Sequence, residues 1–297
     1  VKITKGKVKK PMNILIYGVD GIGKSSFASQ FPDPLFLGPE DGSSFLDVAR
    51  VENIKDWKSF NDSIQYLKAN KVEQKTLVID SLDWIEPLIH DFICKEDSAK
   101  SLELAYGGFG KGYKKAYEMQ CVLKNDIQQI RIKQNMNIVL IAHSKVSTFN
   151  DPSVEIPYDR YHLKLHESNS VSPRAMWREF VDAVFFLNYD SYTTKEDGVV
   201  RANSDKKRYI FTSRTESYDA KTRFKIPDQI ELKENNMFKI ISSYYYPVDQ
   251  DMFKQVKHLA EQLADEKIKE KALADVTKFK NNEVKLNQMK NKLEAMI

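Results

Sequence analysis

Eight consecutive residues, Gly18-Val19-Asp20-Gly21-Ile22-Gly23-Lys24-Ser25, do most to limit what this chain can become. They satisfy the spacing G-x-x-x-x-G-K-[ST] at every fixed position. The glycines let the backbone curl until successive N–H groups point inward at phosphate oxygens. A helix beginning near Lys24 adds its positive end to the same cradle. Lys24 is placed to reach the β- and γ-phosphates, and Ser25 to ligate Mg²⁺. Gly18, Gly21, Gly23, Lys24, Ser25 and Ser26 are the expected nucleotide-binding set, with ATP and Mg²⁺ as its ligands. The pattern arises by chance on the order of once in a hundred chains of this length. Here it also follows the apolar run Met12–Tyr17 and precedes a helical stretch through Gln30, the context that a phosphate-binding loop (P-loop) requires.

The same alternation continues downstream. Leu35–Leu37, Thr76–Ile79, Asn137–Ala142 and Ala183–Leu187 are short apolar runs that suit buried strands. Between them, Trp57–Ala69 places Trp57, Phe60, Ile64 and Leu67 on one helical face, and helices are expected at Trp84–Lys95 and Tyr113–Gln134. This order predicts an α/β fold with a mostly parallel sheet flanked by helices. Gly107, Gly108, Gly110 and Gly112 mark a mobile loop, and Ser144–Pro173 reads as one long loop of the kind that carries function. Asp197-Gly198 reads as a hairpin turn before a strand at Tyr209–Thr212, and Tyr244–Tyr246 as an aromatic strand edge before Pro247.

From Asp251 onward Gly and Pro are absent while Lys and Glu dominate. Phe253, Val256, Leu259, Ala260 and Leu263 trace a helical face there, so one or two helices are expected, docked near the start of the segment. The organisation is therefore a basic arm at 1–10 (Lys2, Lys5, Lys7, Lys9, Lys10), a core at 11–249 and a charged helical tail at 250–297. The arm is expected to be a solvated terminus. No apolar stretch approaches the roughly 18–20 residues that span a bilayer, which points to a cytoplasmic protein that leaves membranes alone. Cys94 and Cys121 lie far apart, so neither a metal site nor a disulfide framework is expected. The net charge of +4 is too small to name a partner by itself.

An acid at the carboxyl end of a buried strand is placed to hold Mg²⁺, and Thr76-Leu-Val-Ile-Asp80-Ser81 supplies one in Asp80. Hydrolysis also needs a group that orients the attacking water. Glu40, just beyond the strand Leu35–Leu37, is the candidate, with Asp41 and then Asp83 as alternatives. His143, at the end of Asn137–Ala142, is placed to sense the γ-phosphate.

The succession of P-loop, strand with trailing Glu, strand ending in Asp-Ser, glycine loop with long helix, strand ending in a polar residue and long loop resembles the RecA/RadA-like ATPases. Tyr158-Asp-Arg-Tyr-His-Leu-Lys-Leu-His166, Trp177-Arg-Glu-Phe-Val-Asp182 and Ala220-Lys-Thr-Arg-Phe-Lys-Ile-Pro227 are similar to their phage subgroup, the Sak-type ATP-binding single-strand annealing proteins. The resemblance covers Asn13 to Leu232. It implies a RecA-like core that binds single-stranded DNA in the bacterial host cytoplasm as a homo-oligomer, in filament or ring form. A single-strand binding protein or replication proteins are further candidate partners. Two loops would face DNA, one with Lys111, Lys114 and Lys115, the other with Lys145, Arg160, Lys164 and Arg174 beside Phe149, Tyr158, Tyr161 and His162. Arg214, Lys221 and Arg223 occupy the segment that such proteins direct at a neighbour's γ-phosphate, and Arg214 is the preferred finger. An alternative is a replication ATPase or helicase loader that reaches DNA through a partner. No separate large DNA-binding domain is evident, which makes binding or annealing easier to credit than full strand exchange.

Overall fold

Consecutive apolar residues suit strands that are covered on both faces. The computed structural model describes residues 3, 5, 6, 8–196, 199–246, 250–280 and 283–296. In it, NILIYG forms β1 (Asn13–Gly18) with all six residues buried. The P-loop leads into α1 (Lys24–Ala28), followed by β2 (Pro34–Leu37) and the two-residue β3 (Ala49–Arg50). α2 (Trp57–Ala69) starts at a capping box in which the Asp56 carboxylate accepts from the Ser59 N–H, and it buries Trp57, Phe60, Ile64 and Leu67. TLVI forms the fully buried β4 (Thr76–Ile79), which leads into α3 (Leu82–Glu96). The glycine loop then precedes α4 (Lys111–Gln134). Tyr106, Gly107, Gly108, Phe109 and Gly110 all have positive φ, and three glycines make that left-handed run sterically acceptable.

β5 (Asn137–Phe149) runs well past the apolar NIVLIA. Its first half lies between β1 and β4, and from Ser144 it pairs antiparallel with β6 (Tyr158–Leu163). Residues 144–173, expected as one loop, are thus largely a hairpin. The sequence hides it because two buried positions of β6 are Arg160 and His162, which blur the apolar alternation. α5 (Pro173–Phe180) follows, with Ser172 as its N-cap.

β7 (Ala183–Glu196) and β8 (Val199–Phe211) pair antiparallel and extend through polar residues beyond the apolar segment Ala183–Leu187. The turn dipeptide Asp197-Gly198 lies outside the described residues. β9 (Lys221–Thr222) pairs with β7, and β10 (Gln229–Glu231) with β8. The sheet order is β10-β8-β7-β1-β5-β4-β2-β3, parallel from β7 to β3, with antiparallel strands on one side. This is the mostly parallel α/β class. The strand that ends at Asp80 is not adjacent to the P-loop strand; β5 separates them and sets His143 in register with Gly18.

The chain divides into two compact units, Val1–Phe238 and Lys239–Ile297, earlier than the division expected at residue 250. At the boundary, α6 (Met237–Tyr245) is a helix, so Tyr244 and Tyr245 are helical rather than on a strand edge. The tail forms three helices rather than one or two: α7 (Gln250–Glu261), α8 (Glu266–Lys278) and α9 (Glu283–Glu294). Asp265 breaks the run by accepting from the N–H groups of Lys267 and Ile268, capping α8. Val256, Ala260, Leu263, Val276, Leu286 and Leu293 give the second unit its own core. Among the described residues no helix is long and apolar enough to cross a membrane.

Candidate nucleotide-binding site

Open α/β sheets bind ligands beyond the carboxyl ends of their strands, and the P-loop occupies that edge at the end of β1. Gly21 and Gly23 have φ of 72° and 102°, backbone shapes that an L side chain resists. Lys24 is buried, and its Nζ donates to the carbonyls of Gly18 (3.2 Å) and Val19 (3.1 Å). Burial pulls its pKa below the ordinary lysine value, against the opposing charges of Asp20, Glu40, Asp80 and Asp83.

The carboxyl ends of β2, β4 and β5 bring the remaining groups to this loop. Ser25 Oγ donates to Asp80 Oδ2 at 2.7 Å. Burial, with the charge of Glu40 behind it, pushes the Asp80 carboxyl up to about 6, while Ser25 and Lys24 act the other way. Glu40 arrives because Gly38 lets β2 close tightly on β4: a Cβ there would lie 1.8 Å from the Asp80 carbonyl oxygen. The Ser81 hydroxyl donates to Glu40 Oε2 at 3.1 Å, and Glu40 Oε1 stands 3.7 Å from His143 Nε2. Asp83 grips His143 twice, accepting from its backbone N–H and meeting its Nδ1, each at 2.9 Å. That hydrogen bond holds His143 above the ordinary imidazole pKa despite its partial burial. Burial alone would raise the Asp83 carboxyl, but the His143 hydrogen bonds win and lower it. With Nδ1 committed to Asp83, Nε2 is the nitrogen that faces Glu40 and, at 3.8 Å, Asp20.

Lys24, Ser25, Glu40, Asp80 and His143 are therefore brought together from four separate parts of the chain. Asp41, the nearest alternative to Glu40, is exposed in a short 3-10 turn, and Asp83 is already committed to His143. The Ser25 hydroxyl and Asp80 carboxylate, 2.7 Å apart, are hard oxygen donors of the kind Mg²⁺ takes beside water and phosphate, so the residues fit that ion.

A family model described as the AAA domain matches residues 10–224. The chain belongs to the AAA-domain family. The cluster just described lies inside the matched segment of this AAA-type P-loop ATPase domain. The chain is also similar to the SPβ prophage-derived uncharacterized protein YorG of Bacillus subtilis (strain 168). The two are 24% identical over 135 residues, which is 44% of this chain and 40% of that protein. The likeness thus spans well under half of that relative's length.

Other expected residues of this AAA domain lie apart from the cluster. Lys111, Lys114 and Lys115 are exposed at the start of α4 beside Phe109, which is 98% exposed. Lys145 and Lys164 are exposed on the hairpin, and Arg174 is paired with Glu167 at 3.1 Å. Arg160 departs from expectation: it is 3% exposed and donates to the carbonyls of Thr215 (3.0 Å) and Tyr218 (2.9 Å). It is a structural cation of the hairpin rather than an open phosphate contact. Phe149 meets Tyr158, His162 and Arg160, and Tyr161 packs on Phe186, so these rings are occupied by the protein itself.

Arg214 is 57% exposed and 3.9 Å from Asp151. Lys221 lies in β9, opposite Val184 near the start of β7, at the sheet end away from the P-loop. Arg223 nearby donates to Asp182 (3.2 Å) and the Glu179 carbonyl (2.9 Å). Among the described residues none of the three contacts its own P-loop.

Sequence reasoning misses two contributors, Asp20 and Arg208, and gives a third, Asp83, a different role. Asp83 reads from sequence only as a weak water-orienting group, although an acid in the first turn of a helix that leaves Asp80 is well placed to hold a neighbouring strand's end. Asp20 lies inside the P-loop itself. Arg208, on the polar strand β8, rests against Gly23, and no local pattern announces it.

Proposed function

We propose that this AAA domain belongs to a phage-derived, Mg²⁺-dependent ATPase that acts on single-stranded DNA as a homo-oligomer, promoting strand annealing or pairing. The observation that carries the ATPase part of the reading is the convergence of Glu40 and His143, on the carboxyl ends of two different strands, at the P-loop edge that holds Ser25 and Asp80. Lys24 exchanges its bonds to the Gly18 and Val19 carbonyls for the β- and γ-phosphates of ATP. Ser25 and Asp80 would hold Mg²⁺, which when bound would neutralise charge on the phosphates. Glu40, steadied by Ser81, orients the attacking water, and His143, steadied by Asp83, presents Nε2 to the γ-phosphate.

The DNA part of the reading is supported by the exposed Lys111, Lys114 and Lys115 beside the exposed Phe109, and by the likeness to a prophage protein. In an oligomer, Arg214, with Lys221 and Arg223 as alternatives, reaches the ATP of the adjacent subunit. The separately packed helical unit favours a second reading, a replication ATPase or helicase loader that meets DNA through a partner.

Lys24→Ala should abolish measurable ATP binding with the fold intact. Glu40→Gln should retain ATP binding and lose about 10²-fold or more in single-turnover hydrolysis. Normal turnover in Glu40→Gln removes the water-orienting role. ATP-dependent binding to bare single strands supports the first reading; binding only alongside a helicase supports the second.

A further inference from the structure

The polar strand β8 contributes one residue to the P-loop from the side opposite the hydrolytic groups. A Cβ on Gly23 would lie 2.9 Å from Nη1 of Arg208 and 3.8 Å from Cδ2 of Leu232. β5, β4 and β2, which bring His143, Asp80 and Glu40, lie on one side of β1, and β8 lies on the other, beyond β7. Arg208 is half-buried, and among the described residues no hydrogen bond or ion pair engages its guanidinium. A guanidinium carries five N–H donors in a planar fork, and one held against a phosphate-binding loop without an acceptor is matched to phosphate oxygens.

Its position is fixed from several directions. Arg208 is paired with Tyr189 across the β7–β8 ladder, and its carbonyl accepts from the Leu232 N–H at 2.7 Å. The chain after Leu232 is tied to the residue that follows the P-loop helix and its cap. Gln30 donates to the Lys233 carbonyl at 3.1 Å and accepts from the Met237 N–H at 2.8 Å. These bonds fasten the antiparallel edge of the sheet to the P-loop helix, so the backbone that carries Arg208 is fixed beside Gly23 before any nucleotide arrives.

We propose that Arg208 is a nucleotide-binding residue acting within its own chain, its guanidinium contacting the α- and β-phosphates of the nucleotide at Gly23, away from the γ-phosphate. The assignment rests on the P-loop reading and adds to it a charge from the opposite flank. One nucleotide would then be held from both sides, by Arg208 at the retained phosphates and by Glu40 and His143 at the leaving one. Because the contact is to phosphates that ADP keeps, it should serve ATP and ADP alike.

The experiment is calorimetric titration of the full chain, wild type, Arg208→Ala and Arg208→Lys, with Mg-ADP and with a slowly hydrolysed Mg-ATP analogue. Arg208→Ala should weaken both nucleotides by about tenfold or more, the scale of charge-assisted hydrogen bonds, and Arg208→Lys should recover part of the loss. Melting temperatures of the nucleotide-free proteins should agree. If Arg208→Ala melts lower, Arg208→Gln, which keeps the bulk of the side chain, is titrated in its place with the same expectation. Unchanged affinities, with wild type binding normally, would overturn the proposal and leave the P-loop reading standing. Loss confined to the ATP analogue also overturns it, because the contact would then be to the γ-phosphate. A wild-type chain that binds neither nucleotide overturns the site and this inference together.

Discussion

Residues 98–112, with the start of α4 that follows, and residues 144–173, with the start of α5, both carry cations near aromatic rings, and the fold uses those cations in different ways. In the first region, Lys111, Lys114 and Lys115 are exposed, and no described residue pairs with them. Phe109 is held outward by a left-handed glycine-rich backbone. In the second, Arg160 is buried beneath the ring of Phe149 and bonded to two carbonyls, and Arg174 is paired with Glu167. The lysines there are the exception: Lys164 is exposed, and Lys145 makes only a long 3.4 Å bond to the Leu165 carbonyl. Residue type alone does not separate the regions. What separates them is whether the fold supplies an acceptor before any ligand arrives.

The largest expected effect tests the buried half of this contrast. Arg160→Ala leaves the carbonyls of Thr215 and Tyr218 without their donor and Asp219, 3.7 Å away, with one cation fewer. Removing one partner from such a buried arrangement costs about 3 kcal/mol. A urea titration should show that loss, while any affinity for single-stranded DNA keeps its salt slope. A variant as stable as wild type with a shallower slope would reverse the contrast.

The exposed half is tested next. Each phosphate neutralised contributes about −0.7 to the log–log salt slope for single strands. Replacing Lys111, Lys114 and Lys115 together should flatten that slope by about 2, with no change in melting temperature. The parental slope in the triple variant removes the glycine loop from the DNA path.

The same contrast explains what the sequence made legible. A P-loop is a fixed spacing on one continuous segment, so Gly18 to Ser25 could be read directly, and the buried strands followed from their apolar runs. β6 could not be read, because its inward positions are filled by Arg160 and His162, whose partners come from Thr215, Tyr218 and Phe149. The outer halves of β7 and β8 lie past the apolar segment and show no alternation to detect. Tyr244–Tyr245 has strand propensity yet sits in α6, a case of context overriding a weak local preference. Arg208 reaches the P-loop only through sheet order, which no local window contains.

The smallest expected effect returns to the hairpin and concerns pH. His162 is 6% exposed and in contact with Phe149. Burial first, then the charges of Arg174, Arg160 and Lys145 against that of Asp219, lower its pKa to about 4. In the unfolded chain the same imidazole takes its proton near 6.5. As pH falls from neutrality the unfolded state is therefore the first to bind the proton. The contribution of neutral His162 is complete above about 6.5 and is lost progressively as pH falls through 4. At pH 5 the loss should be about 1–2 kcal/mol, since each pH unit crossed between the two titrations costs about 1.4 kcal/mol and only part of the interval lies above pH 5. Denaturation of wild type and His162→Gln at pH 7 and pH 5 isolates this contribution, because every other titrating group is common to both proteins. Wild type should lose more stability between the two conditions than the variant does. The glycine loop carries no histidine, so the salt slope expected of it should hold across this range. Equal losses in wild type and His162→Gln would mean that the hairpin admits the proton without opening. Its cations and rings would then be less firmly committed to the fold than Arg160 indicates.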